Sequence, residues 1–178
     1  MISNEKKPAV FLDRDGVLTE EMGYVTDKNS LKIFTYTPSC IKELKKSGYY
    51  AICISNQSAV GRGMMQMTDL YAINQFLKEQ TYLDAVYCCP HYWKDNKPIC
   101  NCRKPQNGLF IQAMQDFNID LSNSYMVGDR ASDILAGQNI QVKTILLESG
   151  YGSQRLEADV KPDYIMNDLR DVVRVLRV

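Results

Sequence analysis

Ala9-Val10-Phe11-Leu12-Asp13-Arg14-Asp15-Gly16 is an apolar run that gives way in one step to two carboxylates and a glycine. A run that is apolar throughout, and does not alternate, is what a strand buried on both faces of a parallel sheet requires. Later stretches repeat the pattern. Tyr49 to Ile54 stops at Ser55-Asn56, Ser124 to Val127 stops at Gly128-Asp129, Val142 to Leu147 is a fourth run, and Ala85-Val86-Tyr87 marks one more strand end. Helical stripes lie between them: Ile41 and Leu44, with Thr37 as N-cap, Pro38 in the first turn and Gly48 as the stop; Leu70, Ile73, Phe76 and Leu77; Leu109, Phe110, Ala113, Met114 and Phe117. A last helix carries Leu169, Val172, Val173 and Leu176, with Asn167 as its cap. Strands alternating with helices give an α/β fold: one doubly wound, Rossmann-like parallel sheet with helices on both faces. Residues 1–178 read as a single domain with no repeat or linker.

Ligands of such sheets bind beyond the carboxyl ends of the strands, so Asp13, Ser55 and Asp129 are where chemistry is sought. Carboxylates at i and i+2 of an extended backbone project to one side, and Asp13 and Asp15 can face one reacting centre. The Ser55-Asn56-Gln57-Ser58 segment offers a hydroxyl and amides to phosphoryl oxygens, or is simply a capped turn. Asp129, with Asp133 one turn on, reads equally as a metal ligand or as a helix N-cap.

Composition excludes several alternatives. Twenty-one Lys+Arg balance 21 Asp+Glu, so no net field draws the chain to nucleic acid or to an anionic membrane. The start, Met1-Ile2-Ser3-Asn4-Glu5-Lys6-Lys7, is polar where a signal peptide needs an apolar core, and no apolar run approaches the ~18 residues of a membrane span. A cytoplasmic location is expected, where six cysteines are core residues or metal ligands before they are disulfides. Four of the six fall between Cys88 and Cys102. Within that stretch Cys89, His91, Cys100 and Cys102 form a CxH…CxC arrangement that includes the only histidine. Three thiolates and an imidazole suit a closed tetrahedral Zn²⁺ site; the plain alternative is a set of free thiols beside a surface histidine. A zinc loop over about 88–105 would set Arg103 and Lys104 over the site, since they follow the last ligand directly.

Asp13-Arg14-Asp15-Gly16-Val17, Ser55, Lys104 and Gly128-Asp129 through Asp133, in that order and at strand ends, resemble the four motifs of the haloacid dehalogenase superfamily of phosphohydrolases. The resemblance spans nearly the whole chain. It implies a Mg²⁺-dependent phosphomonoester hydrolase in which the Asp13 carboxylate, the Asp15 backbone carbonyl and Asp129 hold the metal and Asp133 orients a metal-bound water. Asp13 would be the nucleophile that forms an aspartyl-phosphate. Asp15 would protonate the leaving alkoxide and then deprotonate water, while Ser55 and Lys104 stabilise the equatorial oxygens. Arg14, at the intervening position, is expected to point away from the chemistry.

No stretch between the motifs has room for a large cap, so the substrate should be a small phosphorylated metabolite held by loops. The zinc loop and Asp-Arg-Asp-Gly together are similar to a capless subfamily of D,D-heptose 1,7-bisphosphate 7-phosphatases and histidinol-phosphate phosphatases. By that similarity Glu21, Met22, Gly23 and Tyr24 would line a sugar, Asn56, Gln57 and Ser58 would lie beside the transferring phosphoryl group, Arg103 would meet a second phosphate and Arg130 would lie near the substrate. Tyr24 reads equally as a core edge. The short His91-to-Cys100 loop and Asp129-Arg130-Ala131-Ser132-Asp133 lean towards the histidinol-phosphate type; the flanks of the other motifs favour the heptose type, which is preferred. A phosphorylated receiver domain and a zinc-binding interaction module are the non-enzymatic alternatives. Neutral charge counts against a nucleic-acid 3′-phosphatase. A monomer is expected, with no nucleic-acid or membrane partner.

Overall fold

The computed structural model describes residues 5–94, 97, 99–151 and 159–177; the polar start Met1 to Asn4 and residues 95, 96 and 98 of the Cys–His loop lie outside them. Six strands form one parallel sheet: β1 Ala9–Leu12, β2 Tyr50–Asn56, β3 Ala85–Cys89, β4 Tyr125–Gly128, β5 Lys143–Leu147 and β6 Tyr164–Met166, in the order β3-β2-β1-β4-β5-β6. The chain builds leftwards from β1 and then rightwards from β4, so the winding reverses between these two neighbours. Crevices of α/β sheets open at that point.

Alternation along β1 divides the core. Val10 and Leu12 join Ile41 and Leu44 of α1 (Thr37–Lys46), Leu70, Ile73 and Leu77 of α2 (Met67–Thr81) and the buried stripe of α5 (Leu169–Leu176). Ala9 and Phe11 face the other way, onto Leu109, Phe110 and Ala113 of α3 (Gly108–Asp116) and Ala136 of α4 (Ala131–Asn139). All four β1 residues are fully buried, as the unbroken apolar run requires. Among the described residues no helix is long and apolar enough to cross a membrane.

Two helix starts differ from the sequence reading. Tyr36, not Thr37, is the N-cap of α1, and the Thr37 hydroxyl donates to Leu18 O at 2.8 Å, tying the helix to the segment after β1. The cap of α5 is Asp168, whose carboxylate accepts from Arg170 N at 2.8 Å, while Asn167 donates to Asp171. β6 was not anticipated: its apolar run, Tyr164-Ile165-Met166, is only three residues long, too short to stand out, and at the sheet edge Tyr164 and Ile165 are exposed.

Phe110 packs its ring edge-on against Phe11, centroids 5.1 Å apart at 76°, directly beneath the strand that ends at Asp13. Phe110→Ala should lower unfolding free energy by about 3–5 kcal/mol in urea titrations; a loss under about 1 kcal/mol would show that this layer collapses to fill the void.

Candidate active site

The sheet register sets the polar strand ends level with one another. Leu12 pairs with both Cys53 and Val127, and Asp13 N donates to Val127 O at 3.0 Å, so Asp13, Ser55 and Asp129 emerge at one edge. The chain then turns back after Asp15, closed by Gly16 N to Thr19 O at 2.8 Å and Leu18 N to Arg14 O at 2.9 Å. Gly16 has φ +82°, and a Cβ there would lie 2.2 Å from Asp129 Oδ2; one on Gly150 would lie 2.0 Å from the same oxygen. The Asp129 carboxylate therefore sits in a slot between two glycines, where Tyr151 N donates to its Oδ2 at 2.8 Å.

Asp13, Asp129 and Asp133 bring their carboxylates within 4.8 Å of one another, all buried. The cation among them is Lys104, itself buried: Nζ lies 2.9 Å from Asp13 Oδ1 and 2.7 Å from Asp133 Oδ1, and it donates to Ile54 O. Burial alone would lower the lysine's pKa, but the charges of Asp13 and Asp133 hold it above the usual value. Burial, reinforced by the charges of Asp13 and Asp133, raises the Asp129 carboxyl to about 7; burial also raises that of Asp133. Three carboxylates face one ammonium and, 4.0 Å from Asp129 Oδ1, the Nε of Arg130, which still leaves an excess of negative charge. Asp129 Oδ1 is buried with no hydrogen-bond partner among the described residues. Converging hard oxygens and an orphaned acceptor fit a divalent cation such as Mg²⁺.

Above this cluster opens a cavity of about 640 Å³, lined by Asp13, Asp15, Glu21, Gly23, Tyr24, Ser55, Asn56, Gln57, Ser58, Arg103, Lys104 and Arg130 from the sequence reading. Met22, also in the sequence reading, is not among the lining residues and is 44% exposed. Asn56 has another task besides lining it, since its amide donates to Lys104 O at 3.1 Å and accepts from Lys104 N at 2.9 Å. Gln57 Nε2 bridges Asp15 Oδ2 at 2.9 Å and Ser55 Oγ at 2.8 Å. Arg14 does point away from the cavity, but it is not idle: its guanidinium grips the Asp15 carboxylate from the core side.

Asp133, expected to orient a metal-bound water, also lines the cavity, as do Arg62, Trp93, Pro105, Ser132 and Tyr151, which the sequence reading did not assign. The signal for Arg62 was its place in Gly61-Arg62-Gly63. That turn is pinned by Gly61 N donating to Pro90 O at 2.9 Å, and the guanidinium lies 3.6 Å over the Tyr92 ring. Arg130 bridges to Glu21 Oε2 at 3.1 Å and lies 4.1 Å over the Tyr151 ring.

Cys89, His91, Cys100 and Cys102 also converge within 4.8 Å. Cys89 Sγ is 3.1 Å from Cys102 Sγ and 3.7 Å from Cys100 Sγ, and His91 Nδ1 is 3.2 Å from Cys102 Sγ. No cysteine is in a disulfide. Zn–S bonds of about 2.3 Å need sulfurs that converge to this extent, so the donor set fits Zn²⁺. Burial pushes the Cys100 thiol up, but donors including the Trp93 indole N–H, at 3.2 Å, outweigh it and bring the thiol down to about 6. Arg103 is held to this loop through His91 O at 3.4 Å.

A family profile described as HAD-hydrolase-like matches residues 101–172. The D-glycero-beta-D-manno-heptose-1,7-bisphosphate 7-phosphatase of Haemophilus ducreyi is 36% identical over 176 residues, covering 94% of this chain and 97% of that protein. The enzyme of the same name from Helicobacter pylori is 38% identical over 145 residues, covering 78% and 82%. Among solved structures, D,D-heptose 1,7-bisphosphate phosphatase from B. bronchiseptica, complexed with magnesium and phosphate, superposes with a TM-score of 0.82 at 24% identity, covering 95% and 97%, and shares the fold. The full-length match to these relatives places the chain in the family of haloacid dehalogenase-like phosphatases to which they belong.

Proposed function

We propose that the chain is a D-glycero-D-manno-heptose 1,7-bisphosphate 7-phosphatase, working through an aspartyl-phosphate on Asp13. The observation that carries this reading is the convergence of Asp13, Asp15, Ser55 and Lys104, from separate segments, on one wall of a cavity that also presents Arg62 and Arg103. Relatives bearing that name match over most of their length. The two guanidiniums suit a second phosphate; they would repel the protonated amine of histidinol phosphate.

Attack by Asp13 on phosphorus is the step the arrangement serves. An anion must approach an anion, and the slow uncatalysed rate of phosphate-monoester hydrolysis reflects this. Lys104 Nζ, 2.9 Å from Asp13 Oδ1, orients the nucleophile and is placed to follow charge onto the phosphoryl oxygens, with the Ser55 hydroxyl beside it. Asp13, Asp129 and the Asp15 carbonyl would hold Mg²⁺, which when bound neutralises charge on the transferring group. Asp15 gives a proton to the departing oxygen and takes one back from the water that hydrolyses the acyl phosphate. The four Cys and His donors would hold Zn²⁺ as a structural ion, fixing the loop that carries Arg103 and Lys104. The phosphoryl donor in this chemistry is a small sugar bisphosphate, with Asp13 and then water as acceptors; a monomer in the cytoplasm suffices for it.

Asp13→Asn should remove essentially all turnover, at least about 10³-fold, with a native circular-dichroism spectrum. In wild type, rapid quenching with ³²P-labelled ester should place the label on Asp13, and label found only on another residue would end the reading. On one sample, kcat/KM for the heptose bisphosphate should exceed that for histidinol phosphate; the reverse order would assign the substrate to the other class.

Cys100→Ser should lower the zinc content of purified protein well below one equivalent by atomic absorption, and an unchanged stoichiometry would contradict the donor set.

The raised Asp129 carboxyl has a stability consequence. A carboxyl whose folded pKa of about 7 lies above its ordinary value near 3.8 penalises the metal-free fold progressively as pH rises from about 4 through 7, because the unfolded chain gives up the proton more readily. Asp129→Asn removes the penalty. In EDTA its Tm should exceed wild type by roughly 5 °C at pH 8 and by much less at pH 4.5; an equal gain at both would show that the carboxylate charge is not the cause.

A further inference from the structure

Arg14 is the largest side chain fully hidden from solvent, and nothing in the reaction described so far uses it. Taking a guanidinium out of water costs several kcal/mol unless a carboxylate and hydrogen bonds compensate. Its ion-pair partner among the described residues is Asp15 alone: Nε lies 3.0 Å from Oδ1 and 3.1 Å from Oδ2, and Nη2 lies 3.0 Å from Oδ2. Nη1 and Nη2 are both buried with no hydrogen-bond partner there, so Nε alone hydrogen-bonds the carboxylate and Nη2 adds only an ion-pair contact. The stem runs through the core, close enough to Cys53 and Cys88 for its charge to act on both thiols. Asp15 stands between this cation and the cavity. It lines the wall and its side chain is 15% exposed, whereas Arg14 does not reach the lining. The guanidinium cannot bind phosphate from where it is; it acts on the cavity only through the carboxyl.

Two neutral donors complete the grip. Thr19 Oγ1 lies 3.2 Å from Asp15 Oδ1 and Gln57 Nε2 lies 2.9 Å from Oδ2. Of the three, only Arg14 presents a charged, planar fork, which fixes the plane of a carboxylate as well as its position.

We propose that Arg14 is a positioning residue for proton transfer by Asp15. The inference rests on the acid role given to Asp15 above. In the first half-reaction a bond forms between the Asp13 carboxylate oxygen and phosphorus. The bond from phosphorus to the ester oxygen breaks, its electron pair stays on that oxygen, and the proton of the Asp15 carboxyl moves there. Asp15 is left as a carboxylate, the form that next takes a proton from water. A general acid is worth about 10²–10⁴-fold only while it stays within hydrogen-bond reach of the departing oxygen, so the buried fork preserves that reach against rotation of the carboxyl.

The test compares kcat/KM for an alkyl ester, a sugar phosphate, with that for p-nitrophenyl phosphate, whose phenolate departs without a proton. This parameter reports steps up to the first irreversible one, and so isolates phosphoryl transfer from the later hydrolysis. Arg14→Met, which keeps length and loses charge, should lower the alkyl-to-aryl ratio by at least about tenfold. Arg14→Lys, which keeps charge and loses the fork, should lower it by an intermediate factor. If both esters lose the same factor in both variants, Arg14 is a packing residue and the proposal is overturned. Should Arg14→Met fail to fold, Arg14→Lys decides by the same criterion. Asp15→Asn is measured alongside: an unchanged ratio there removes the acid role itself, whereas a lowered ratio in Asp15→Asn with unchanged ratios in the Arg14 variants removes only the positioning role.

Discussion

Lys104 places an ammonium ion out of water, and the geometry around it follows from that burial. An uncompensated buried charge is not tolerated, and removing one partner of a buried pair typically costs about 3–5 kcal/mol. Its partners come from three places: Asp13 beyond β1, Asp133 in the first turn of α4, and the Ile54 carbonyl in β2. Satisfying one lysine therefore requires two neighbouring strands and the helix after β4 to meet at a point. Asn56 adds a second constraint by bonding the Lys104 backbone in both directions, so the residue that delivers the charge is fixed to the end of β2 as well. The same contacts leave the acid cluster short of positive charge. Structural demand and catalytic readiness are thus the same electrostatic fact.

The parts of the fold visible in the sequence were those in which burial dictates every side chain. β1, β2, β4 and β5 carry buried, largely apolar runs because helices cover both faces of the sheet, and the stripes of α1, α2, α3 and α5 face the core, with Phe76, Met114 and Phe117 only partly buried. Legibility failed where local hydrogen bonding competes among near-equal candidates. Thr37 and Pro38 look like a cap and a first turn, but the threonine hydroxyl finds a better acceptor across the chain in Leu18 O. Asn167 and Asp168 are adjacent capping residues, and only the tertiary packing of α5 selects the second. β6 is held by pairing with β5, not by its own composition. The site shows the same division. Spacing located Asp13, Asp15, Ser55 and Asp129 at strand ends, while the commitment of Asn56 to Lys104 depends on a partner 48 residues away, and the turn of Arg14 back onto its neighbour Asp15 depends on the core that buries it.

The two halves of the site are ordered by different forces. The carboxylates stand on a sheet whose strands lie in the hydrophobic core, so their positions are set by the same burial that folds the chain. The cations Arg62 and Arg103 are set by the Cys–His loop: one stacks on Tyr92 beside Pro90, the other bonds His91 O and lies 5.9 Å over Trp93. That loop has few buried apolar side chains of its own, and four metal-type donors converge within it. Trp93 joins the halves, since its ring lines the cavity and its indole N–H donates to Cys100 Sγ. Loss of the donor cluster should thus be felt first at Arg62 and Arg103, while the acid cluster beneath, anchored by β1 and β4, stays in register. The cations and the carboxylates are thus set by separable elements of one small fold, with Lys104, fixed to both, as the point where they meet.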